Sequence, residues 1–180
     1  PEARAALRAE LGISPDTFAV VHVGRFVRDK GQDLLVQALP HTPAHVQLHF
    51  VGDPNTDFGR DVQAQVAALA AAQPALAARV HTLGYRQDVQ RLLPAFDAFA
   101  LASRREALSI AVIEAFAAQV PVVATAVGGV PEIVRHERTG LLVPPDDPQA
   151  LAQGLGRLAQ DAALRSRLVQ QGRALYEADL

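Results

Sequence analysis

Apolar and polar positions alternate along this chain in two different rhythms. Short segments rich in β-branched and aromatic residues are separated by longer segments in which apolar residues recur at helical spacing. This order is typical of parallel strand–helix–strand units, in which helices cover both faces of a buried sheet. Strands are predicted at Phe18–Val23, Val46–Val51, Arg79–Leu83, Ala98–Ala102, Val120–Ala124 and Gly140–Val143. The predicted fold class is therefore α/β, with a doubly wound and mainly parallel sheet of about six strands.

Helical segments fill the spaces between these strands. Helices are predicted at residues 2–11, 31–39, 59–72 and 88–94, from near 108 to the fifth strand, and at 130–135, 147–159 and 161–176. With 180 residues the chain has the usual size of one domain. We therefore expect a single domain over 1–180, in which 147–180 form C-terminal helices. Because the chain begins at Pro1 within a helical pattern, we expect it to be a piece of a longer protein.

The segments that directly follow predicted strands are the predicted binding site. They carry glycine, charged or hydroxyl residues and span 24–31, 52–55, 84–88, 103–108 and 127–132. Parallel strands end at one edge of the sheet, and ligands of a doubly wound sheet bind beyond that edge. We therefore expect these segments to lie together.

Two carboxylates, Glu106 and Glu114, flank the start of the apolar helix that precedes the fifth strand. Helical geometry would separate them by about 12 Å, whereas carboxylates that flank one scissile glycosidic bond lie about 5 to 9.5 Å apart. The spacing suits the two ends of a long ligand, and the helix N-terminus between them suits a phosphate or diphosphate. The alternative for Glu106 is a surface ion pair with neighbouring Arg104 or Arg105. The alternative for Glu114 is a solvated helix position, although its apolar neighbours favour an inward-facing carboxylate.

The segment GRFVRDKG places Arg25 after the first strand and Lys30 before the next helix. Lys30 is the only lysine in the chain. A compact ammonium flanked by Gly24 and Gly31 favours phosphate binding over a surface lysine placed by chance. Neither GxGxxG nor GxxxxGK[ST] occurs, so a nicotinamide dehydrogenase and a P-loop nucleotidase are disfavoured.

Composition argues against several other classes. A formal net charge of -2, without a basic run interleaved with aromatic residues, disfavours nucleic-acid binding. The absence of cysteine rules out a disulfide or a thiolate nucleophile, and it fits the reducing cytoplasm in which we expect the protein. No apolar run reaches the roughly 18 residues of a membrane span. His45 and His49 share a strand face without a third ligand, and Asp146 and Asp147 fit helix caps, so no metal site is predicted.

Five motifs taken together carry a family resemblance: GRFVRDKG, VGDP, TLGYRQDV, SRREALSIAVIEAFA, and PVVATAVGGVPEIV followed by TGLLVPPDD. From Gly12 to Asp147 they resemble the C-terminal, donor-binding domain of retaining glycosyltransferases with the GT-B fold, family 4, or glycosyl transferases group 1. The resemblance implies the Rossmann-like half of a hexosyltransferase that binds a nucleotide-diphosphate sugar and needs no cofactor or metal. It also implies an N-terminal acceptor domain, absent from this chain, without which transfer is expected to be weak. Peripheral membrane association through that domain stays open.

The resemblance further implies a role for each matching residue. As catalytic residues, Arg25 and Lys30 would neutralise the diphosphate and the charge that develops on it as the glycosidic bond breaks. Glu106, the third catalytic residue, would meet hydroxyls of the transferred sugar. Glu114, the second glutamate of the E-x7-E motif, would accept hydrogen bonds from the ribose hydroxyls. Gly24 would belong to the donor-binding loop with Arg25 and Lys30.

Two other segments would contact the donor. The resemblance implies that Tyr85 and Arg86 line the nucleobase. It places the N–H groups at Leu108, Ser109 and Ile110 where the diphosphate docks. These residues complete the predicted donor-binding set.

The chain departs from the family pattern at three positions. Glycine is usual at Ala107 and at Gln119, and glycine or proline is common at Ser109. A methyl group at Ala107 would narrow the approach to the diphosphate or sugar. Two further classes therefore stay open: a nucleotide-sugar 2-epimerase, which uses a related two-domain architecture, and a noncatalytic nucleotide-sugar-binding module.

Overall fold

A parallel sheet forms the centre of the structure, a computed structural model that describes residues 1–180. Its strands are β1 (Phe18–Val23), β2 (Val46–Val51), β3 (Val80–Gly84), β4 (Ala98–Leu101), β5 (Val122–Thr125) and β6 (Leu141–Val143). The strand order is β3-β2-β1-β4-β5-β6, and every neighbouring pair is parallel. The order reverses between β1 and β4, where doubly wound sheets form a ligand-binding crevice. The predicted fold class is confirmed.

Helices connect the strands and cover both faces of the sheet. They are α1 (Glu2–Glu10), α2 (Gln32–Ala38), α3 (Asp57–Ala72), α4 (Pro74–Ala77), α5 (Val89–Leu92), α6 (Ile110–Ala117), α7 (Val130–Ile133), α8 (Pro148–Gln160) and α9 (Ala162–Asp179). Short 3-10 turns occur at Arg28–Lys30, Leu39–His41 and Leu93–Ala95. No helix combines the length and the apolar character needed to cross a membrane.

Burial on both faces explains why the strands are apolar almost without interruption. In β1, Phe18 and Val20 belong to one core layer, whereas Ala19 and Val21 belong to the other. Helices α2, α3 and α8 pack into the first layer, and α5, α6 and α7 pack into the second. Apolar burial stabilises a fold by about 25 cal/mol per Å² removed from water, so these two layers are the main stabilising contribution.

The predicted boundaries lie within two residues of the observed ones, except at the end of α9, which is observed at Asp179 and predicted at 176. Strand β5 begins at Val122 rather than Val120, because Pro121 has no N–H group to donate to a neighbouring strand. The sequence pattern does not predict α4. It is a single turn that begins at Pro74, directly after α3 ends.

The start of α6 changes the geometry expected for the two carboxylates. The helix begins at Ile110, and the Ser109 hydroxyl caps it by accepting a hydrogen bond from the Val112 N–H at 3.3 Å. Glu106 therefore lies in the preceding loop, and only Glu114 is helical. The separation expected for a continuous helix does not apply to this pair.

Candidate functional site

The carboxyl ends of β1, β2 and β3 border a cavity of about 480 Å³. Gly24, Arg25, Tyr85 and Arg86, all predicted donor-binding residues, lie in its wall. The other lining residues are mostly apolar or small: Val23, Phe26, Val27, Val51, Gly52, Asp53, Thr56 and Val89. A larger cavity of about 620 Å³ lies against α1, before the first strand and away from this edge. The cavity at the carboxyl edge therefore has the position and the lining expected of a ligand site.

A salt bridge joins Lys30 and Glu106. The Lys30 Nζ donates to Glu106 Oε2 at 2.8 Å, and the Ser103 hydroxyl donates to the same oxygen at 3.1 Å. The side chain of Glu106 is 10% exposed and that of Lys30 is 23% exposed, so the pair is only partly hydrated. Attraction between charges is stronger in such a setting than in water. The fold thus brings together two predicted catalytic residues from separate loops and leaves Glu106 Oε1 unbonded.

Glu106 does not pair with its arginine neighbours. Arg104 donates two hydrogen bonds to Asp33, at 2.9 and 2.7 Å, and a third to Asp146 at 2.7 Å. Its hydrogen bonds to Asp33 raise the pKa of the Arg104 guanidinium above its ordinary value. Arg105 is exposed. The surface ion pair considered for Glu106 is therefore absent, and Arg104 anchors the loop after β4 to α2 and to the turn before α8.

Two glycines allow the loops of the site to approach one another closely. Gly31 has a φ of 70°, and a Cβ atom there would collide with the Ala102 carbonyl oxygen. Gly128 has a φ of 52°, and its Cβ would collide with the carbonyl oxygen of Glu106. A larger residue at either position would displace the turn that carries Lys30 or the loop that carries Glu106.

Unpaired positive groups suited to an anion lie at this edge. Arg25 is exposed, and no hydrogen bond or ion pair within the chain holds its guanidinium. At the start of α6, Leu108 and Ile110 are exposed, whereas Ser109 is buried and its hydroxyl is used for capping. The N–H groups of Ile110 and Ala111 make no backbone hydrogen bond. The predicted diphosphate-docking segment is thus a helix N-terminus with open donors.

Tyr85 and Arg86 lie at the rim of the cavity, as the nucleobase prediction requires. Tyr85 is 72% exposed. Arg86 donates two hydrogen bonds to Asp88, at 2.8 and 2.9 Å, and these lower the pKa of the Asp88 carboxyl well below its usual range. Asp88 compensates the charge of Arg86. Arg86 therefore contributes a planar guanidinium surface to the cavity and not an unpaired cation.

Glu114 lies in a neighbouring groove and does not line the cavity that contains Arg25. The groove has a volume of about 480 Å³ and is formed by α5, α6 and α9. Glu114 is half-buried, and the Gln90 side-chain amide donates to its Oε1 at 3.1 Å. Ile110, the first residue of α6, also lines this groove. The ribose role of Glu114 stays a prediction that requires a ligand to extend past Ile110.

Sequence reasoning missed His22, which is buried beneath the site at the end of β1. Its Nδ1 lies 2.9 Å from the Ala100 carbonyl oxygen. A carbonyl oxygen only accepts, so Nδ1 carries the proton and Nε2 carries a lone pair. Burial lowers the pKa of His22 to about 4, and Nε2 has no hydrogen-bond partner. The available signal was a histidine among apolar strand residues, directly before the Gly24 loop.

The polar pairs considered for metal binding have other contacts. His49 stacks on His81, with ring centroids 4.7 Å apart, and not on His45. Asp147 caps α8 as predicted, whereas the capping prediction for Asp146 is wrong because Asp146 pairs with an arginine. No group of three or more histidine, aspartate or glutamate side chains is placed to hold a metal ion.

Two of the departures from the family pattern have visible consequences. Gln119, at the end of α6, has a φ of 58°, a left-handed conformation that glycine adopts more easily. Ala107 is exposed, and its carbonyl oxygen accepts a hydrogen bond from the Gly129 N–H at 2.8 Å. Alanine therefore preserves the contact between these two loops and adds one methyl group to the surface of the site.

Known proteins resemble this chain in sequence along almost all of its length. A sequence profile described as glycosyl transferases group 1 matches residues 17–161. The chain is 37% identical, over 174 residues, to the D-inositol 3-phosphate glycosyltransferase of Xylanimonas cellulosilytica, with 96% of this chain and 41% of that protein covered. It is 30% identical to the N-acetyl-alpha-D-glucosaminyl L-malate synthase of Bacillus anthracis, with 95% and 44% covered. The chain thus spans less than half the length of these relatives.

Solved structures share the fold. A crystal structure of HepE from Anabaena in complex with UDP-glucose matches with a TM-score of 0.91 and 30% identity, over 98% of this chain and 48% of that chain. The C-terminal domain of the group 1 glycosyl transferase LpcC from Francisella tularensis matches in fold, with a TM-score of 0.84 at 24% identity, over 99% and 93%. The matched profile includes all six strands and every predicted site residue. The chain belongs to the glycosyl transferases group 1 family.

Proposed function

We propose that this chain is the donor-binding half of a retaining glycosyltransferase, which transfers a hexosyl group from a nucleoside diphosphate sugar to an acceptor. The observation that carries the proposal is the Lys30–Glu106 pair at the same edge of the sheet as the unpaired guanidinium of Arg25. A cation for phosphate and a carboxylate for sugar hydroxyls thereby lie at the ligand-binding edge of the sheet. The complexes of HepE with UDP and with UDP-glucose support this choice of ligand.

The diphosphate would lie between the turn that carries Lys30 and the N-terminus of α6. Lys30 and Arg25 would supply positive charge, and the open N–H groups of Ile110 and Ala111 would donate to phosphate oxygens. Negative charge on the leaving diphosphate increases as the glycosidic bond breaks. Preorganised donors and cations stabilise that charge and lower the barrier. We propose that these groups act without a metal ion or another cofactor.

The sugar and the nucleoside would occupy opposite sides of the diphosphate. Glu106, oriented by the Ser103 hydroxyl, would accept hydrogen bonds from sugar hydroxyls, chiefly at its unbonded Oε1. The base would enter the cavity against Tyr85 and Arg86, because the phenol ring of Tyr85 and the guanidinium plane of Arg86 are suited to stacking. Glu114 would meet the ribose hydroxyls from the neighbouring groove.

The acceptor would bind outside this chain. Since the chain covers 41% of its Xylanimonas relative, the proposal includes an N-terminal domain that binds the acceptor and faces the carboxyl edge of this sheet. The chain alone would bind the donor and transfer little. A cytoplasmic location is part of the proposal and is compatible with a chain that has no cysteine.

Thermal unfolding with UDP, GDP, ADP and their glucose conjugates tests the proposal. A ligand present at 100 times its Kd adds about 2.7 kcal/mol of apparent stability. At least one nucleotide should raise the Tm of the wild-type chain, and Lys30→Met should remove most of that rise. Arg28→Met is the matched control, because it removes an exposed cation from the same turn that has no partner carboxylate, whereas Lys30 is paired with Glu106. No rise with any nucleotide, or an equal rise in Lys30→Met, would contradict the proposal.

Product analysis of the full-length protein tests the reaction itself. The enzyme would be incubated with a nucleotide sugar, with and without candidate acceptors, and the anomeric configuration of the product would be determined. A glycosylated acceptor with retained configuration supports the proposal. An epimerised free nucleotide sugar formed without any acceptor would replace transfer by epimerisation.

A further inference from the structure

His22 carries a buried hydrogen-bond acceptor whose orientation is fixed but whose donor is missing. Its Nδ1–H donates to the Ala100 carbonyl oxygen at 2.9 Å, and its ring meets Phe50 edge to face, with centroids 5.9 Å apart. Flipping the ring would break the bond to Ala100. Its Nε2 is left without a partner. Buried polar atoms without partners are rare in folded proteins, so this nitrogen calls for an explanation.

The unpaired nitrogen of His22 and the side chain of Lys30 border the same space, which a side chain at residue 24 would fill. A Cβ atom built on Gly24 would lie 3.3 Å from His22 Nε2, and 3.6 and 3.7 Å from Cγ and Cδ of Lys30. The missing side chain of Gly24 therefore leaves a space with the histidine acceptor on one side and the lysine stem on the other. The Lys30 ammonium lies two bonds beyond Cδ, so rotation near the end of the stem moves it relative to His22.

The Lys30 ammonium has more N–H donors than the contacts within the chain use. It carries three N–H groups, and only one of them is bonded, to Glu106 Oε2 at 2.8 Å. A phosphate oxygen of the proposed donor would take the second. His22 Nε2 is a nearby acceptor for the third. The imidazole is neutral at pH 7, since burial lowers its pKa to about 4, and it therefore does not repel the ammonium.

We propose that His22 is a positioning residue for Lys30, and that its Nε2 accepts a hydrogen bond from the Lys30 ammonium when a diphosphate binds. Glu106, the phosphate and His22 then hold the three N–H groups in one orientation. This inference rests on the proposed function. Without the acceptor at residue 22, the ammonium rotates more freely and binds phosphate less tightly, by about 10-fold for one hydrogen bond to a charged group.

Two substitutions separate the roles of the two ring nitrogens. In His22→Asn the amide N–H can replace Nδ1 at Ala100, but no acceptor reaches the position of Nε2. In His22→Gln the longer amide places an oxygen near that position. We expect isothermal titration of the 180-residue chain with UDP to give about 10-fold weaker binding for His22→Asn and near wild-type binding for His22→Gln. Equal affinity of His22→Asn and the wild type would overturn the inference.

A double-mutant cycle distinguishes action through Lys30 from general damage to the fold. In a Lys30→Met background, His22→Asn should weaken UDP binding no further, because the ammonium that it positions is already absent. The same 10-fold loss in that background would overturn the inference. If the wild-type chain binds none of UDP, GDP and ADP, the proposed function fails and the inference fails with it.

Nitrogen-15 chemical shifts test the wild-type protein directly and do not depend on the stability of the His22 variants. Saturating UDP should move the His22 Nε2 resonance towards the value of a hydrogen-bonded acceptor, and this change should be absent in Lys30→Met. His49 is the internal control, because it packs against Phe96 in the other core layer. An unchanged His22 Nε2 shift in a chain that binds UDP would overturn the inference.

Discussion

Replacing Glu106 by glutamine separates the effect of Glu106 on phosphate binding by Lys30 from its own contact with the sugar hydroxyls. The Lys30 ammonium donates to Glu106 Oε2 at 2.8 Å, so the carboxylate competes with any phosphate for the charge of this cation. Glutamine keeps the side-chain length and one acceptor oxygen but removes the negative charge. We expect Glu106→Gln to bind UDP more tightly than the wild type and to discriminate less between UDP and UDP-glucose.

The expected gain in UDP affinity follows from how exposed the Lys30–Glu106 salt bridge is. Unit charges about 4 Å apart attract by roughly 4 kcal/mol at an effective dielectric constant near 20. Glu106 is 10% exposed and Lys30 is 23% exposed, which places the pair between surface bridges and fully buried ones. Surface bridges contribute about 0 to 1 kcal/mol, whereas breaking a buried pair costs about 3 to 5 kcal/mol. A gain of roughly 1 to 2 kcal/mol in UDP binding is expected, or about 5- to 30-fold in Kd.

Isothermal titration with UDP and UDP-glucose measures both effects. Glu132→Gln is the matched control, because it removes an exposed carboxylate from the first turn of α7 at the same edge. Weaker or unchanged UDP binding in Glu106→Gln, with wild-type binding in Glu132→Gln, would refute the competition between carboxylate and phosphate. In the full-length enzyme, unchanged turnover after Glu106→Ala would refute the catalytic role of Glu106.

Four other measurements test the contacts that hold the loops of the site, the absence of a metal requirement and the burial of two histidines. Arg104→Lys loses the two-point contact with Asp33, and the free energy of unfolding in urea should fall by about 1 to 3 kcal/mol; an unchanged value would mean that this anchor is dispensable. Gly128→Ala should weaken UDP binding about 10-fold, since its Cβ collides with the adjoining loop, and full affinity would contradict that packing. EDTA should leave the UDP-induced rise in Tm unchanged, whereas its loss would indicate a metal ion. Burial lowers the pKa of His22 and His49 from 6.5 to about 4, so the unfolded chain binds more protons between those pH values. Stability in urea should therefore fall as the pH drops from 6.5 to 4, by at most roughly 3 kcal/mol per histidine, and a flat profile would contradict their burial.

Most strands could be predicted because they are apolar on both faces and bounded by polar or turn-forming residues, whereas the edge strand β3 is only partly buried. The bounds predicted for β1 and β2 are those observed, at Phe18–Val23 and Val46–Val51. The limits of such reasoning appear where two signals conflict. Val120 is as buried as a strand residue, and the apolar pattern alone does not show that Pro121 delays pairing. A one-turn helix such as α4 is too short for helical periodicity to indicate it.

The members of the site were more predictable than their contacts. Lys30 was distinguished as the only lysine, and Glu106 by its motif, but their salt bridge depends on how two distant loops pack. Adjacent charges suggest local ion pairs, yet Arg104 reaches Asp33 across the edge of the sheet. His22 is the only polar residue of β1, which distinguishes it in the sequence but gives no information about its hydrogen bonds. Only the packing around it shows that one of its nitrogens lacks a donor.

Carboxylates of the chain compensate most of the positive charge at the site. Glu106 holds Lys30 and Asp88 holds Arg86, so Arg25 is the cavity's uncompensated cation. An incoming diphosphate would therefore meet Arg25 first and then share the charge of the Lys30 ammonium with Glu106. The attraction between Glu106 and Lys30 is weakened by that sharing, and only a ligand that also brings sugar hydroxyls to Oε1 compensates the carboxylate. A nucleotide sugar should consequently bind more tightly than the bare nucleotide, and the same exchange explains why removing the charge of Glu106 would erase that preference.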